Sequence, residues 1–215
     1  MKIYVISGLG ADKRIFQFLT LKYQLVPLDW IEPKKNEPLE SYAARLSQSI
    51  DTSKDFILLG VSFGGLVATE IGKFLSPKQT ILISSAETAA ELRSIYRLFG
   101  KLNLIRFIPK PFLNMPAWLA NLLFGAKNKQ LLAEIIQDTD LGFLKWALAE
   151  LMQWKNQTRL PNCLKIEGGN DLLLPPTKST NAILIPQGGH FMIVDKAEEI
   201  SGVINERIAS LGLGN

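Results

Sequence analysis

Residues 56–68 read FILLGVSFGGLVA, a pattern that predicts a strand, a tight turn and a helix in succession. Its first part is a short apolar run typical of a buried strand, and its last part favours a helix. Between them lies a G-x-S-x-G pattern with Ser62 at its centre, flanked by Gly60 and Gly64. So tight a strand-to-helix turn needs neighbours without bulk and lifts the serine hydroxyl above the sheet. We therefore predict that Ser62 is a nucleophile; the alternative is a glycine-rich turn in which Ser62 only caps the helix.

Strand and helix patterns alternate around this stretch. The predicted strands cover residues 2–7, 24–28, 56–59, 80–84, 163–167 and 182–185, and the predicted helices beside them cover 39–50, 64–74 and about 197–209. Such alternation indicates an α/β protein, with a mostly parallel sheet of about six strands and helices on both faces.

One segment, at about 87–159, breaks this alternation. It contains no convincing strand, and its helical stretches are 92–107, 117–124, 130–137 and 143–154. It is too long for an ordinary crossover connection. We therefore predict one domain over residues 1–215, with a helical lid inserted at about 87–159.

Composition excludes several classes of protein. The chain has 215 residues, of which 47% are hydrophobic, as expected for one globular domain. A single cysteine and a single histidine cannot form an internal disulfide or a Cys/His zinc site, so we predict no metal and no cofactor. No cleavable leader pattern and no long apolar run is evident, so we expect a cytoplasmic protein without an integral membrane segment.

The net charge of +4 is unevenly distributed. Residues 92–129 contain no Asp or Glu and carry seven cations: Arg93, Arg97, Lys101, Arg106, Lys110, Lys127 and Lys129. Such a segment can attract anionic substrates, a lipid surface or nucleic acid, or it can be a solvated helix surface. No zinc-finger, RNP-type or basic-zipper pattern is present, so we predict no nucleic-acid partner.

His190 is the only candidate for a histidine base. It follows the predicted strand 182–185 and two glycines, a setting that favours a loop. A serine nucleophile needs such a base because its hydroxyl barely ionises at neutral pH. We predict that His190 activates Ser62; the alternative is a structural histidine.

A carboxylate should orient the imidazole. Asp171 follows the strand 163–167, so it belongs at the same sheet edge as Ser62 and His190. The chain order Ser, Asp, His is that of hydrolases with a nucleophile elbow. Asp171 is our first choice; the alternative is that it only caps a turn, and Glu87 and Glu167 are the next candidate acids.

The glycines after the first strand, in Gly8-Leu9-Gly10, need a separate interpretation. A dinucleotide fingerprint is disfavoured because Lys13 stands where its third glycine belongs, and no phosphate-binding P-loop pattern is present. We predict that the amides of Leu9 and Phe63 form an oxyanion hole. The alternative is a plain turn at the end of a strand.

Four blocks together resemble the α/β-hydrolase superfamily. They are SGLG at 7–10, GVSFGG at 60–65, GGND at 168–171 and GHFM at 189–192. The last block is similar to small esterase-like and lyase-like members. The resemblance implies the α/β-hydrolase fold, with Ser62 as nucleophile, Asp171 as acid and His190 as base.

The chain departs from this family in two places. The family's oxyanion loop usually begins His-Gly, whereas here it begins Ser7-Gly8. The first predicted strand starts at Lys2, so we expect the sheet to lack the family's usual N-terminal strands. The resemblance does not specify a substrate, because this fold hosts many chemistries.

The predicted function is that of a carboxylesterase-like serine hydrolase, cleaving a small ester, thioester or amide through an acyl-enzyme on Ser62. The alternatives are a lyase-type or C–C-cleaving enzyme, or a catalytically silent ligand-binding protein. The expected substrate is a small molecule, anionic or acyl-bearing. Six aromatic side chains could line an acyl pocket or could pack the insertion onto the sheet. They are Phe99, Phe107, Phe112, Trp118, Phe124 and Trp146.

Overall fold

In the computed structural model, which describes residues 1–177 and 179–212, six strands form one sheet in the order β2-β1-β3-β4-β5-β6. The strands are β1 (Lys2–Ile6), β2 (Gln24–Pro27), β3 (Phe56–Val61), β4 (Gln79–Ile83), β5 (Cys163–Gly168) and β6 (Ala182–Ile185). Every neighbouring pair is parallel, which confirms the predicted sheet. Lys178 and residues 213–215, which the predicted domain includes, lie outside the described residues.

Helices cover both faces of the sheet. They are α1 (Leu39–Leu46), α2 (Phe63–Gly72), α3 (Ser94–Lys101), α4 (Ala117–Phe124), α5 (Lys129–Gln137), α6 (Leu141–Gln153), α7 (Met192–Asp195) and α8 (Ala197–Ser210). Side chains alternate along each strand, so Ile57 and Leu59 pack on one face of β3 and Leu58 on the other. The face that carries Leu58 packs on α1, α2 and α6, and the opposite face packs on α5, α7 and α8.

Parallel strands bring the three predicted site residues to one edge of the sheet. Ser62 follows β3, Asp171 follows β5 and His190 follows β6, so all three lie beyond carboxyl ends of strands. In open α/β sheets this edge is where ligands bind.

The segment between β4 and β5 is fully described and contains α3 to α6 but no strand. The predicted helix over 92–107 is wrong in its extent, because α3 ends at Lys101 and a 3-10 helix follows at Leu104–Phe107. The break falls at Asn103, whose left-handed backbone (φ 51°) cannot continue an α-helix. None of the helices in the described residues is long and apolar enough to cross a membrane.

Cys163, the one cysteine of the sequence, begins β5. Its side chain is buried and free, and this burial raises the pKa of the thiol.

Candidate active site

Ser62 occupies the turn between β3 and α2 in a strained conformation, with φ 52° and ψ −122°. The glycines of the motif explain why the turn can close. A Cβ at Gly60 would collide with the backbone of Gly64, and a Cβ at Gly64 would collide with the carbonyl oxygen of Ser7 on the neighbouring segment. The two glycines therefore let three backbone segments pass at short distance, as the sequence pattern requires.

Neighbouring groups hold this strained backbone in place. The Ser62 amide donates to the carbonyl of Ile83 at 2.9 Å, which ties the turn to the end of β4. The Ser85 hydroxyl donates to the Ser62 carbonyl at 2.7 Å. Both bonds involve only the backbone of Ser62, so its hydroxyl remains available for a hydrogen bond with His190.

The structure brings Ser62, Asp171 and His190 together in a chain of hydrogen bonds. His190 Nε2 lies 2.9 Å from Ser62 Oγ, and His190 Nδ1 lies 2.8 Å from Asp171 Oδ2. Because an ionised carboxylate can only accept, the proton belongs on Nδ1, which leaves Nε2 as the acceptor for the serine hydroxyl. Asp171 Oδ1 accepts the amides of Leu173 and Leu174, both at 2.9 Å. The carboxylate is thus buried and oriented through both of its oxygens.

Glycines also allow the loops that carry Asp171 and His190 to pack on each other. A Cβ at Gly168 would collide with the carbonyl oxygen of Gly188. The Asn170 amide donates to the same carbonyl at 2.9 Å. This contact holds the loop of Asp171 against the loop of His190.

The two other candidate acids are engaged elsewhere. Glu87 accepts from the Arg159 guanidinium at 2.9 Å and belongs to an ion-pair cluster away from the imidazole. Glu167 accepts from both the amide and the hydroxyl of Thr177 at 2.7 Å. Neither carboxylate hydrogen-bonds to His190, within the residues that the structure describes.

The loop after β1 passes directly beside Ser62. A Cβ on Gly8 would lie 3.4 Å from Ser62 Cβ, and the loop is closed by a 3.0 Å hydrogen bond from the Ala11 amide to the Gly8 carbonyl. Phe63 is the first residue of α2. Across residues 1–177 and 179–212, the Leu9 and Phe63 amides donate to no other protein atom, so both are available to a ligand.

A cavity of about 280 Å³ opens beside Ser62 and His190. Its walls come from the loop after β1, from residues 113–115, and from α5 and α6. Among the described residues that line it, none is Lys, Arg, Asp or Glu. The seven cations of residues 92–129 therefore lie outside the cavity, and the lining suits an uncharged apolar group better than an anion.

The sequence did not identify most of these lining residues. Leu141, Leu144, Leu148 and Leu151 recur at intervals of three or four and line the cavity from α6. That spacing predicts a buried helix face. It does not show that the face borders a cavity.

Of the six aromatic residues that were candidates for an acyl pocket, Phe124 lines the cavity. The other five lie elsewhere. Phe99 lies half-buried on α3, and Trp146 packs on Tyr42 at a ring distance of 4.4 Å, next to the sheet. Three are largely exposed to solvent: Phe107 (77%), Phe112 (81%) and Trp118 (70%).

No protein-family model and no curated protein sequence matches the chain. Solved structures do match. A thermophilic esterase from Thermogutta terrifontis is 15% identical, with 98% of this chain and 90% of that chain covered and a TM-score of 0.74. An esterase from Exiguobacterium antarcticum is 15% identical, with 97% and 92% covered and a TM-score of 0.74. MenH from S. aureus is 17% identical, with 99% and 94% covered and a TM-score of 0.68.

The chain has the α/β-hydrolase fold. The likeness covers almost the whole chain at low identity, so it establishes the fold and not the substrate.

Within this α/β-hydrolase fold, the helical segment between β4 and β5 is fastened to both site loops. The Tyr96 hydroxyl on α3 donates to the carbonyl of Leu173 at 3.0 Å, and burial raises the pKa of this phenol. The Phe191 amide donates to the Phe124 carbonyl at 3.0 Å, and the Phe124 ring lies edge-on to the imidazole of His190 at 5.4 Å. The helical segment therefore helps to position both the loop that carries Asp171 and the loop that carries His190.

Proposed function

We propose that the protein is a carboxylesterase-like serine hydrolase that cleaves a small ester, thioester or amide through an acyl-enzyme on Ser62. One observation carries this proposal. The imidazole of His190 lies within hydrogen-bond distance of both Ser62 Oγ (2.9 Å) and Asp171 Oδ2 (2.8 Å). This is the arrangement that activates a serine hydroxyl at neutral pH.

The reaction then follows in two stages. Ser62 Oγ attacks the substrate carbonyl while His190 Nε2 takes its proton, and Asp171 stabilises the imidazolium and its tautomer. The imidazolium gives that proton to the leaving group, which departs and leaves the acyl-enzyme. Water, deprotonated by His190, attacks the acyl carbonyl; the imidazolium then returns the proton to Ser62 Oγ as the acyl–oxygen bond breaks and the acid leaves.

The negative charge on the carbonyl oxygen needs donors that are already in place. The free amides of Leu9 and Phe63, on the two sides of Ser62, suit this role. Phe63 begins α2, so the positive end of the helix dipole adds to the stabilisation.

The cavity supports an uncharged acyl chain as the group that is recognised. Each methylene that leaves water for such a lining contributes about 0.8 kcal/mol, or roughly fourfold in kcat/KM. We propose that residues at about 87–159 act as a lid over this chain, because α5, α6 and residues 113–115 supply much of the wall.

A fluorophosphonate probe and a series of p-nitrophenyl esters test the proposal together. We expect labelling of the native protein, loss of labelling in Ser62→Ala, and unchanged labelling in the exposed control Ser53→Ala. Turnover should rise with acyl length until the cavity is filled. A well-folded protein that is not labelled would contradict the proposal and favour silent ligand binding. Ser62-dependent labelling without turnover of any ester, thioester or amide would favour the lyase-type alternative.

A further inference from the structure

The helical segment between β4 and β5 carries most of the exposed large hydrophobic side chains of the described residues. Among the described residues, thirteen large hydrophobic side chains are exposed, and eight of them lie between Ile95 and Leu122. We call one part of this region the basic apolar face. It comprises the exposed hydrophobic residues of the three elements that contact α6, namely Ile95, Leu98, Leu102, Leu104, Phe107 and Phe112.

Helix α3 shows how the face is built. Ile95, Leu98 and Leu102 are spaced by three and four residues, so they share one exposed side of the helix axis. The helix contacts α6 on another side, where a Cβ on Gly100 would collide with the backbone of Met152. No residue of α3 is buried, so this helix lies on the surface of the domain with its apolar stripe uncovered.

The next part of the chain lies on the same support. The Lys145 ammonium on α6 donates to the carbonyls of Arg106 (2.9 Å) and Ile108 (2.8 Å). The 3-10 helices at Leu104–Phe107 and Lys110–Leu113 are thereby held along α6. Since their inner side contacts α6, Phe107 and Phe112 extend into solvent.

The face is also strongly cationic. Its five basic residues are Arg93, Arg97, Lys101, Arg106 and Lys110. Within the part of the chain that the structure describes, no carboxylate lies within the 4.0 Å ion-pair distance of any of them. The charges of Arg97, Lys101 and Arg106 are therefore not neutralised by an ion pair among the described residues, whereas the Arg93 guanidinium donates to the Leu172 carbonyl.

We propose that the basic apolar face docks on the surface of an anionic lipid bilayer. Cations adjoining an aliphatic and aromatic stripe are the pattern of interfacial helices, whose apolar side enters the boundary of the acyl chains. The exposed aliphatic side chains Ile95, Leu98 and Leu102 add apolar area that a nucleic acid, bound through its phosphates and by base stacking, would leave uncovered.

Docking in this orientation has a geometric consequence. Leu113 and Met115 line the cavity and follow Phe112 in the chain. The bilayer would thus contact the protein next to one wall of the cavity. The docking itself does not depend on the proposed catalytic function.

Vesicle sedimentation tests this proposal. Phosphatidylcholine vesicles are compared with equimolar phosphatidylcholine and phosphatidylglycerol vesicles, at low and at high salt. We expect the native protein to pellet with the anionic vesicles only, and less at high salt. Arg97→Glu with Lys101→Glu should weaken partitioning about 30-fold or more, since each cation near such a surface contributes about fivefold. Phe107→Ser with Phe112→Ser should weaken it at least about tenfold.

Matched controls lie at the opposite edge of the sheet. Lys54 precedes β3 and Phe74 follows α2, and both are exposed. Lys54→Glu and Phe74→Ser should leave vesicle binding unchanged. The proposal fails if the native protein does not pellet with anionic vesicles, or if the control variants lose binding equally. It also fails if Phe107→Ser with Phe112→Ser binds vesicles as before while a single-stranded oligonucleotide competes for the face.

Discussion

The hydroxyl of Tyr96 donates a 3.0 Å hydrogen bond to the carbonyl of Leu173. The amide of Leu174, which shares a peptide group with that carbonyl, donates to Asp171 Oδ1 at 2.9 Å. The helical segment therefore reaches the proposed catalytic acid through one peptide group. Arg93 strengthens this link, because its guanidinium donates to the carbonyl of Leu172 in the same loop.

We expect Tyr96→Phe to act on the rate more than on binding. The ring that lines the cavity is kept, whereas one hydrogen bond of about 1 kcal/mol is lost, so kcat for a short ester should fall about fivefold with KM unchanged. Steady-state kinetics of the variant provide the measurement. A raised KM with an unchanged kcat would instead place the Tyr96 hydroxyl in contact with the substrate.

Asp171→Asn is expected to lower kcat by about 10⁴-fold, because an amide cannot hold the imidazole in the tautomer that accepts the serine proton. Folding should persist, since the amide oxygen can still accept from Leu173 and Leu174. Single-turnover acylation and circular dichroism separate the two effects. Near-normal activity would transfer the role to Glu87 or Glu167.

Gly64→Ala should destabilise the fold by more than about 3 kcal/mol. The new Cβ would collide with the carbonyls of Ile6 and Ser7, and β1 could relieve this only by moving away from β3. Urea unfolding gives the measurement. Gly202→Ala is the matched control, because a Cβ there meets nothing within 4 Å and helix α8 should gain up to about 1 kcal/mol. Equal stability of the two variants would contradict the tight approach at the turn.

Glu37 should make stability depend on pH. Its carboxylate accepts from the Arg45 guanidinium and from the Lys34 amide, and these hydrogen bonds lower the pKa of Glu37 below 4.5 despite its burial. A lowered folded-state pKa stabilises the protein above the unfolded value, and this contribution is lost as the pH falls through the folded value.

Glu37→Gln should therefore lower the free energy of unfolding by about 1 kcal/mol at neutral pH. The difference from the native protein should vanish in acid. Urea unfolding of both proteins at neutral and at acid pH tests the direction of this pH dependence. A difference that stays constant or grows in acid would show that Glu37 acts through packing alone.

The sequence predicted those parts of the fold that depend on local patterns. Gly60 and Gly64 mark the turn because only glycine permits that backbone approach, and the six strands follow from short apolar runs between turns. The juxtaposition of Ser62 and His190 was also predictable, since parallel strands end at one edge. Their roles in catalysis stay predictions.

What the sequence could not predict depends on contacts between distant segments. Phe124 and Trp118 are aromatic residues of the same helix, yet one lines the cavity and the other is exposed. The interruption at Asn103 was missed because Asn is only a moderate helix breaker, and its left-handed backbone is apparent only in the folded chain. Helical spacing does not specify which neighbour a helix side meets.

The buried thiol at the start of β5 gives the protein a built-in probe of its own opening. Cys163 can react with an alkylating reagent only when β5 separates from its neighbours, since the side chain is buried in the native state and its raised pKa suppresses the reactive thiolate. Alkylation kinetics of the unmodified chain would therefore report how often β5, next to the edge strand β6, opens. Because Cys163 is the one cysteine of the sequence, no cysteine needs to be introduced or removed. Every modified molecule carries its label at the same position.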